Sequence, residues 1–325
     1  MARVLLVLPT TSYRAPDLLE AADRLGGELT VGAEERNVLT AQNTDGYLAL
    51  DFGDPEQAAT TVAGFAQRHP IHAVLGLDDQ STRVAASIAR RLMLPGNSVE
   101  SVEASRDKRL MRERLRLGGL PVPAYRVCSL EDDPQRLGAD MAYPCVLKPT
   151  RLSGSQGVIR ADDEATFVEA WKRLVNIIHS EQTAPEILIE SFIPGREVAL
   201  EGLVEHGTLR VLTLFDKPDP LDGPWFEETI YVRPSRLAES VQQDVIDCSA
   251  RAVQVLGLPT GPVHAELRVN EAGVWLIEVA ARPIGGRCSR ALRFALGISL
   301  EELFLRQALG LDTRTIQPDP TPSGV

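Results

Sequence analysis

Residues 264–282, HAELRVNEAGVWLIEVAAR, place two acidic residues, Glu266 and Glu278, on the two strands of what the sequence pattern predicts to be one β-hairpin. Polar and apolar residues alternate on both sides of Gly273, which is typical of paired strands joined by a tight turn. With a three-residue loop over 271–273, and Gly273 where a positive φ is needed, Glu266 lies directly opposite Glu278. A two-residue turn would shift the register by one and separate the two carboxylates, so this prediction depends on the turn.

Two like charges that face each other on a half-buried sheet are unfavourable. A divalent cation between them would remove that cost, and hard cations such as Mg²⁺ bind carboxylate oxygens. We therefore predict that Glu266 and Glu278 are metal ligands, with Mg²⁺ as the metal and Mn²⁺ as a substitute. The competing interpretation is a pair of solvated strand carboxylates. His264, on the same face, is predicted to be a hydrogen-bonded sheet residue rather than a base.

Length and composition set the broad class of protein. The chain has 325 residues, 44% of them hydrophobic, and a net charge of −11, which suits two or three globular domains. The negative charge argues against a protein that coats nucleic acid or an anionic membrane, although it leaves room for a local basic pocket. Four scattered cysteines form no CxxC pair, which predicts reduced thiols and a cytoplasmic location.

Residues 1–97 alternate short apolar strands with amphipathic helices, which predicts an open parallel α/β domain. Ligands of such sheets bind at the carboxyl ends of the strands, which here are followed by residues 9–14 and 78–81. The first of these loops lacks the GxGxxG pattern, so we do not expect a dinucleotide site.

Residues 98–312 mix helices and strands in the way expected of an α+β unit. A small lobe over about residues 124–192 contains a Gly-rich segment. Residues 313–325 are rich in proline and are predicted to be a loop without structure of its own, either a linker or the start of a truncated C-terminal portion.

A lysine and a glycine-rich loop predict a phosphate site. Lys148 ends an apolar strand, and residues 153–157, here called the flap, follow it. Glycines let the main chain approach an anion closely, and successive N–H groups can form an anion nest. The flap consists of Ser153, Gly154, Ser155, Gln156 and Gly157. Lys108, at the start of a helix, is a second candidate; the alternatives are solvated lysines and a plain turn.

The next strand pair offers groups that suit a nucleoside. Glu190 ends one strand, and residues 191–193 would present main-chain groups to a flat base. Glu197 begins the following strand and would accept hydrogen bonds from ribose hydroxyls. Taken alone, the segment also fits any strand–turn–strand unit.

Substrate contacts are weakly encoded. In the polar and aromatic loop over 215–229, Lys217 would hold a carboxylate and Glu228 an amine; a solvated loop is the alternative. Arg268 shares a face with the predicted metal ligands and would bind a substrate carboxylate or pair with Glu266. Two arginines further on would also reach an anionic substrate: Arg287 and Arg290.

The order of these features over residues 100–312 resembles the ATP-grasp superfamily. That order is a lysine before a helix, a strand-end lysine, a Gly-rich flap, a Glu…Gly-x-Glu hinge and two glutamates before an arginine. The chain is most similar to the carboxylate–amine ligases, including L-amino-acid ligases and D-alanine–D-alanine ligase. Residues 278–282, EVAAR, are similar to the metal-and-arginine strand of the L-amino-acid ligase branch, and the preceding α/β region resembles the domain that comes before ATP-grasp domains.

The resemblance implies roles for individual residues. Those implied to bind ATP, besides the flap that closes over it, are Lys108 and Lys148 at the phosphates, Glu190, Ser191 and Ile193 at the adenine, and Glu197 at the ribose. Glu266 and Glu278 would bind Mg²⁺, Arg282 would steady an acyl phosphate and its oxyanion, and Arg268 is a second catalytic candidate. Ala280 departs from the pattern, because many members have an asparagine there that binds the metal.

The implied activity is an ATP- and Mg²⁺-dependent ligase that joins a carboxylate to an amine, with an amino acid among its substrates. Small molecules are the expected partners, with neither nucleic acid nor membrane, and a homodimer is a candidate assembly. Two alternatives stay open. One is a nucleotide-binding scaffold or sensor, suggested by Ala280, and the other is an ATP-grasp enzyme acting on bicarbonate or a nucleotide precursor.

Overall fold

The computed structural model describes residues 2–35, 46–227, 229–286, 288–316, 319 and 323–324. Its N-terminal part is a parallel sheet with helices on both faces. The elements are β1 (Arg3–Val7), α1 (Ala15–Leu25), β2 (Glu28–Ala33), β3 (Tyr47–Ala49), α2 (Pro55–Ala66), β4 (Ala73–Gly76) and α3 (Asp79–Leu92). The strand order is β3-β2-β1-β4. The apolar run of β1 is buried because helices cover both of its faces. Strand β2 was not predicted.

Two short helices connect this layer to the small lobe: α4 (Val99–Arg106) and α5 (Lys108–Leu117). The small lobe contains β5 (Tyr125–Ser129), α6 (Pro134–Ala139), β6 (Cys145–Pro149), β7 (Ile159–Ala161), α7 (Glu164–Ser180) and β8 (Glu186–Ser191). Its sheet is antiparallel in the order β5-β8-β6-β7. On α7, Phe167, Trp171, Leu174 and Ile178 recur at three- and four-residue spacing and pack against the sheet.

The rest of the chain forms a six-stranded sheet and its helices. The elements are β9 (Arg196–Glu205), β10 (Thr208–Asp216), β11 (Val232–Arg233), α8 (Glu239–Leu256), β12 (Thr260–Asn270), β13 (Gly273–Ala280), α9 (Cys288–Leu296), α10 (Leu300–Ala308) and β14 (Ser323–Gly324). The order is β13-β12-β9-β10-β11-β14. Because β14 pairs with β11, the prediction of a structureless tail is wrong for those two residues.

The predicted fold class is confirmed: a parallel α/β layer precedes a two-lobed α+β unit. Helices α4, α5 and α8 pack on one face of the six-stranded sheet. On the other face, α10 contacts α1 and β4, which joins the N-terminal layer to the large sheet. The predicted boundaries at residues 97 and 312 stay predictions. Among the described residues, no helix is long and apolar enough to cross a membrane.

Residues 217–227, here called the strap, follow β10 and reach the small lobe. Trp225 forms an isolated β-bridge with Ile159 of β7. The Arg173 guanidinium of α7 lies over the Trp225 ring, 4.3 Å from its centroid. The strap therefore links the large sheet to the small lobe, and its Phe226 lines the cleft between them.

Candidate active site

A cleft between the small lobe and the six-stranded sheet gathers most of the predicted site. The predicted residues that line it are Lys108, Lys148, Gly154, Ser155, Glu190, Ser191, Ile193, Glu197, Glu266, Arg268, Glu278 and Arg282. Ser153 borders an adjoining cavity, together with residues of the N-terminal layer, and Lys217 lines a cavity behind the hinge. Glu228 and Arg287 lie outside the described residues.

A β-bulge brings the two predicted metal ligands face to face. The turn contains two residues, because Asn270 pairs with Gly273, so the predicted three-residue loop is wrong. Glu266 nevertheless lies opposite Glu278, as predicted. The ladder pairs Leu267 with Leu276 and then shifts by one residue, which restores the register that the short turn had displaced.

The hairpin carboxylates are partly exposed and face the cleft. The side chains of Glu266 and Glu278 are 21% and 25% exposed. Glu278 Oε2 lies 3.3 Å from Lys108 Nζ, and Glu266 Oε1 lies 3.4 Å from Lys217 Nζ. The oxygens of the two opposed carboxylates form a donor set that fits a hard divalent cation.

A third protein ligand is not provided within the described ranges, where no group of three or more His, Cys, Asp or Glu side chains could hold a metal. Ala280, at the edge of the cleft, contributes only a methyl group. Mg²⁺ readily keeps several waters and binds phosphate oxygens, so two carboxylates suffice beside a nucleotide.

The two predicted phosphate lysines line the same cleft. Lys148 Nζ lies 2.5 Å from Glu190 Oε2, and the Arg112 side chain pairs with the same carboxylate. Burial opposes ionisation of Glu190, but the charges of Arg112 and Lys148 lower the pKa of its carboxyl to about 2. Lys108 Nζ donates to the Leu152 carbonyl at 2.5 Å, next to the flap. Sequence reasoning assigned Glu190 to the adenine through its main chain; its side chain holds Lys148.

The flap has the local conformation expected of an anion-binding loop. Gly154, Ser155 and Gly157 all have φ between 56° and 75°. The left-handed conformation strains Ser155, whereas the glycines adopt it without that cost. Gln156 turns away from the cleft and donates to Glu181 Oε1 at 2.8 Å. Gly154 and Ser155 line the cleft together with the two lysines.

Arg282 connects the large sheet with the N-terminal layer. Its Nε lies 2.8 Å from Oδ1 of Asp79, the first residue of α3. Burial opposes ionisation of Asp79, but Arg282, with a hydrogen bond from the Ser153 side chain, lowers the pKa of that carboxyl below its usual value. Asp79 lies in the strand-end loop where the sequence predicted ligands to bind, yet its pairing with Arg282 was not foreseen.

The hinge carboxylate Glu197 is held by two cations. Lys217 Nζ lies 2.8 Å from its Oε1, and Arg268 Nε lies 3.0 Å from its Oε2. Arg268 also donates to the carbonyl oxygens of Ile193 and Leu221. At Gly195 a Cβ atom would meet the main chain of Val269, so only glycine fits this hinge. Arg268 and Lys217 thus both pair with Glu197, and their predicted catalytic and substrate roles stay predictions.

His264 is hydrogen-bonded, as expected of a sheet residue. Its Nδ1 lies 3.3 Å from Glu201 Oε2, and its Nε2 lies 3.4 Å from Glu266 Oε1. Burial lowers the pKa of His264, but its two carboxylate partners outweigh burial and raise it to about 9. The buried Glu201 also accepts from the Ile284 main-chain N–H. The sequence contains no local signal for this pair, because Glu201 and His264 meet only across β9 and β12.

Comparison with known proteins places these features in a family. Residues 141–291 match the ATP-grasp domain, and residues 19–96 match the ATP-grasp N-terminal domain. The chain is 30% identical to the uncharacterized protein y4rH of Sinorhizobium fredii over 223 aligned residues. The alignment covers 69% of this chain and 46% of y4rH. It is also 27% identical to alanine–anticapsin ligase of Bacillus subtilis over 242 aligned residues. That alignment covers 68% of this chain and 50% of the ligase.

A solved structure resembles the whole chain. The L-amino acid ligase from Bacillus licheniformis superposes with a TM-score of 0.79 at 27% identity, over 100% of this chain and 79% of that one. The chain spans about half the length of the curated relatives named above.

Proposed function

Because the chain belongs to the ATP-grasp superfamily, we propose that it is an ADP-forming ligase that joins a carboxylate to an amine, with an amino acid among its substrates. The observation that carries this proposal is one cleft lined by Lys108 and Lys148 together with Glu266 and Glu278. The lysines suit a triphosphate, and the opposed carboxylates suit the divalent cation that accompanies it.

The first half-reaction would activate the carboxylate. A carboxylate resists attack because it is anionic and its leaving group is poor. Its oxygen would attack the γ-phosphorus of ATP, so that a new P–O bond forms while the bond to ADP breaks and an acyl phosphate results. Lys108 and Lys148 would offset charge on the transferred group. Mg²⁺ held by Glu266 and Glu278 would supply further neutralisation at the phosphate oxygens.

The second half-reaction would form the amide. The amine nitrogen attacks the acyl carbon, the C–N bond forms, phosphate leaves and the nitrogen loses a proton. Arg282 would donate to the oxygen on which negative charge develops, and its ion pair with Asp79 would hold it in place. The flap would close over the phosphates and exclude water, which protects the acyl phosphate from hydrolysis.

Further proposals follow from the family and the composition. The substrates would be small molecules, Mn²⁺ would replace Mg²⁺, and a homodimer is the candidate assembly. The thiols of Cys128, Cys145 and Cys248 are not joined in disulfides, which suits a reducing compartment, and we propose the cytoplasm.

Isotope transfer tests the acyl-phosphate route. Pairs of amino acids are screened for ADP release, and the active carboxylate is then supplied with ¹⁸O in both oxygens. One ¹⁸O atom should appear in the released phosphate, measured by mass spectrometry together with the amide product.

Three outcomes would contradict the proposal. Phosphate without ¹⁸O excludes carboxylate activation. Nucleotide binding without ADP release under any substrate pair favours a scaffold or sensor. ADP release that requires bicarbonate or a nucleotide precursor favours the other ATP-grasp chemistry.

A further inference from the structure

Arg112 is a buried charged residue with no part in the proposed chemistry. It lies one helical turn after Lys108 on α5, on the same face of the helix, and is fully buried. Its Nε and Nη2 donate to the two carboxylate oxygens of Glu190. Nη2 also donates to the main-chain carbonyl oxygen of Ile277, at 2.5 Å. One guanidinium therefore contacts both walls of the cleft, through β8 and through β13.

Ile277 is the extra residue of the β-bulge. On the turn side of it Leu267 pairs with Leu276, and on the other side Glu266 pairs with Glu278, so Ile277 has no partner in the β12–β13 ladder. Without the bulge, Glu266 would face Ile277, and the Glu278 side chain would point to the opposite face of the sheet. The site of two opposed carboxylates thus exists because of this one residue.

A guanidinium is well suited to hold such a bulge. Ile277 has no partner in the ladder, and a buried carbonyl without a donor costs about 1–3 kcal/mol. Arg112 presents several N–H groups in a fixed plane, so it can satisfy the Ile277 carbonyl and Glu190 together. Lysine carries a compact point charge on a flexible stem and cannot reproduce that fork.

We propose that Arg112 is a positioning residue for the metal site, which stabilises the bulge at Ile277 and so keeps Glu278 opposite Glu266. The inference rests on the proposed function in one respect, namely that these two carboxylates hold the divalent cation. Arg112 does not line the cleft and acts through the main chain of β13. Its separate contact with Glu190 supports Lys148 on the nucleotide side.

The substitution Arg112→Lys separates the contact of Arg112 with the Ile277 carbonyl from its contact with Glu190. It keeps a positive charge beside Glu190 and removes the planar fork that reaches Ile277. Arg116→Lys, on the exposed side of the same helix, is the matched control. Two equilibria are measured: Mn²⁺ binding to the ADP-saturated protein by electron paramagnetic resonance, and nucleotide binding in EDTA.

For Arg112→Lys we expect Mn²⁺ affinity to fall by about 10-fold to 100-fold, which is usual when a supporting residue of a metal site is lost. Nucleotide affinity in EDTA should not change, and Arg116→Lys should match wild type in both measurements. A merely structural role of Arg112 would lower the thermal midpoint without separating the two affinities.

Wild-type Mn²⁺ affinity in folded Arg112→Lys would overturn the inference. Failure of the wild-type protein itself to bind Mn²⁺ with ADP would instead contradict the metal site and the proposed function. If Arg112→Lys does not fold, Glu190→Gln carries the test, since it leaves Arg112 on the Ile277 carbonyl. We then expect weaker nucleotide binding in EDTA with unchanged Mn²⁺ affinity at saturating ADP, and a parallel loss of Mn²⁺ affinity would overturn the inference.

Discussion

Two pairs of glutamates occupy the cleft, and their surroundings differ. The hairpin pair, Glu266 and Glu278, is partly exposed, and its contacts with lysine nitrogens are 3.3–3.4 Å long. The hinge pair, Glu190 and Glu197, has side chains only 3% and 9% exposed, and its ion pairs are 2.5–3.0 Å long. Sequence alone gave all four residues ligand-binding roles. All four side chains line the cleft, but those of the hinge pair are enclosed by cationic partners, whereas those of the hairpin pair are more exposed.

The difference has a simple electrostatic basis. A buried carboxylate requires close, well-aligned cations to offset the loss of its hydration, and removal of one partner leaves an uncompensated charge. Two opposed carboxylates without a metal repel each other, so their removal relieves strain. The hinge pair should therefore matter for folding and the hairpin pair for chemistry.

The largest expected effect is on turnover in Glu278→Ala. Loss of a metal ligand should remove several kcal/mol of transition-state stabilisation, which corresponds to at least about a thousandfold in rate. ADP release measures this, and circular dichroism checks that the variant stays folded. Glu271→Ala, in the exposed turn of the same hairpin, is the control and should be fully active. Turnover at the wild-type rate in Glu278→Ala would rule out the metal role.

The reverse effect is expected for stability in Glu190→Ala. The substitution removes the carboxylate that pairs with both Arg112 and Lys148. The free energy of unfolding should therefore fall by about 3–5 kcal/mol. Urea unfolding without metal or nucleotide measures it. Glu278→Ala in the same assay should be as stable as wild type or more so. Equal losses in the two variants would remove the distinction between the pairs.

Lys148→Ala should weaken ATP binding about tenfold or more, because a charge-assisted hydrogen bond to phosphate contributes about 1.5–3 kcal/mol. Isothermal titration calorimetry gives the affinity directly. Lys172→Ala, an exposed lysine of α7, is the control for the loss of one positive charge. Unchanged affinity in Lys148→Ala would argue against the phosphate role.

Acidification should lower the free energy of unfolding of the wild-type protein through protonation of Glu190. The pKa of Glu190 is about 2 in the fold against 4.5 ordinarily, so its contribution is fully present above pH 4.5 and is lost as the pH falls through about 2. The unfolding free energy should decline across this window by about 1–3 kcal/mol more than in Glu190→Gln, which cannot titrate. Parallel pH profiles of the two proteins would contradict the assignment.

The smallest effect on stability is expected from the loss of the exposed Asp222 carboxylate near Arg268. Asp222 is 58% exposed and lies 3.7 Å from Arg268, so solvent screens the pair. Asp222→Ala should change the free energy of unfolding by no more than about 1 kcal/mol and leave ATP affinity unaltered. A larger loss would show that Arg268 depends on the Asp222 carboxylate as well as on Glu197.

The hairpin shows what a sequence pattern can and cannot predict. Alternation of polar and apolar residues fixes which strands pair and which face is buried, and the opposition of Glu266 and Glu278 follows the predicted face. The turn was one residue shorter than predicted, and the bulge at Ile277 compensated. Bulges have no reliable local signature, since Ile277 is held by a residue 165 positions away in sequence.

Strand β2 and the site residues Asp79 and Arg112 were also missed, for two different reasons. The strand β2 was missed because its mixture of polar and small residues, ELTVGA, lacks a clear period. Asp79 and Arg112 were missed as site residues because their partners come from distant segments. The alternation of apolar strands and amphipathic helices over residues 1–97, in contrast, correctly predicted the parallel α/β layer.

The strap gives the chain a native optical probe of lobe movement. Trp225 is 46% exposed and lies against Arg173, whereas Trp171 is buried in the small lobe. A motion that draws the strap away from the small lobe would part the indole from the guanidinium, and its emission would respond. With Trp171 and Trp275 replaced by phenylalanine, stopped-flow fluorescence could time closure over a nucleotide separately from product release.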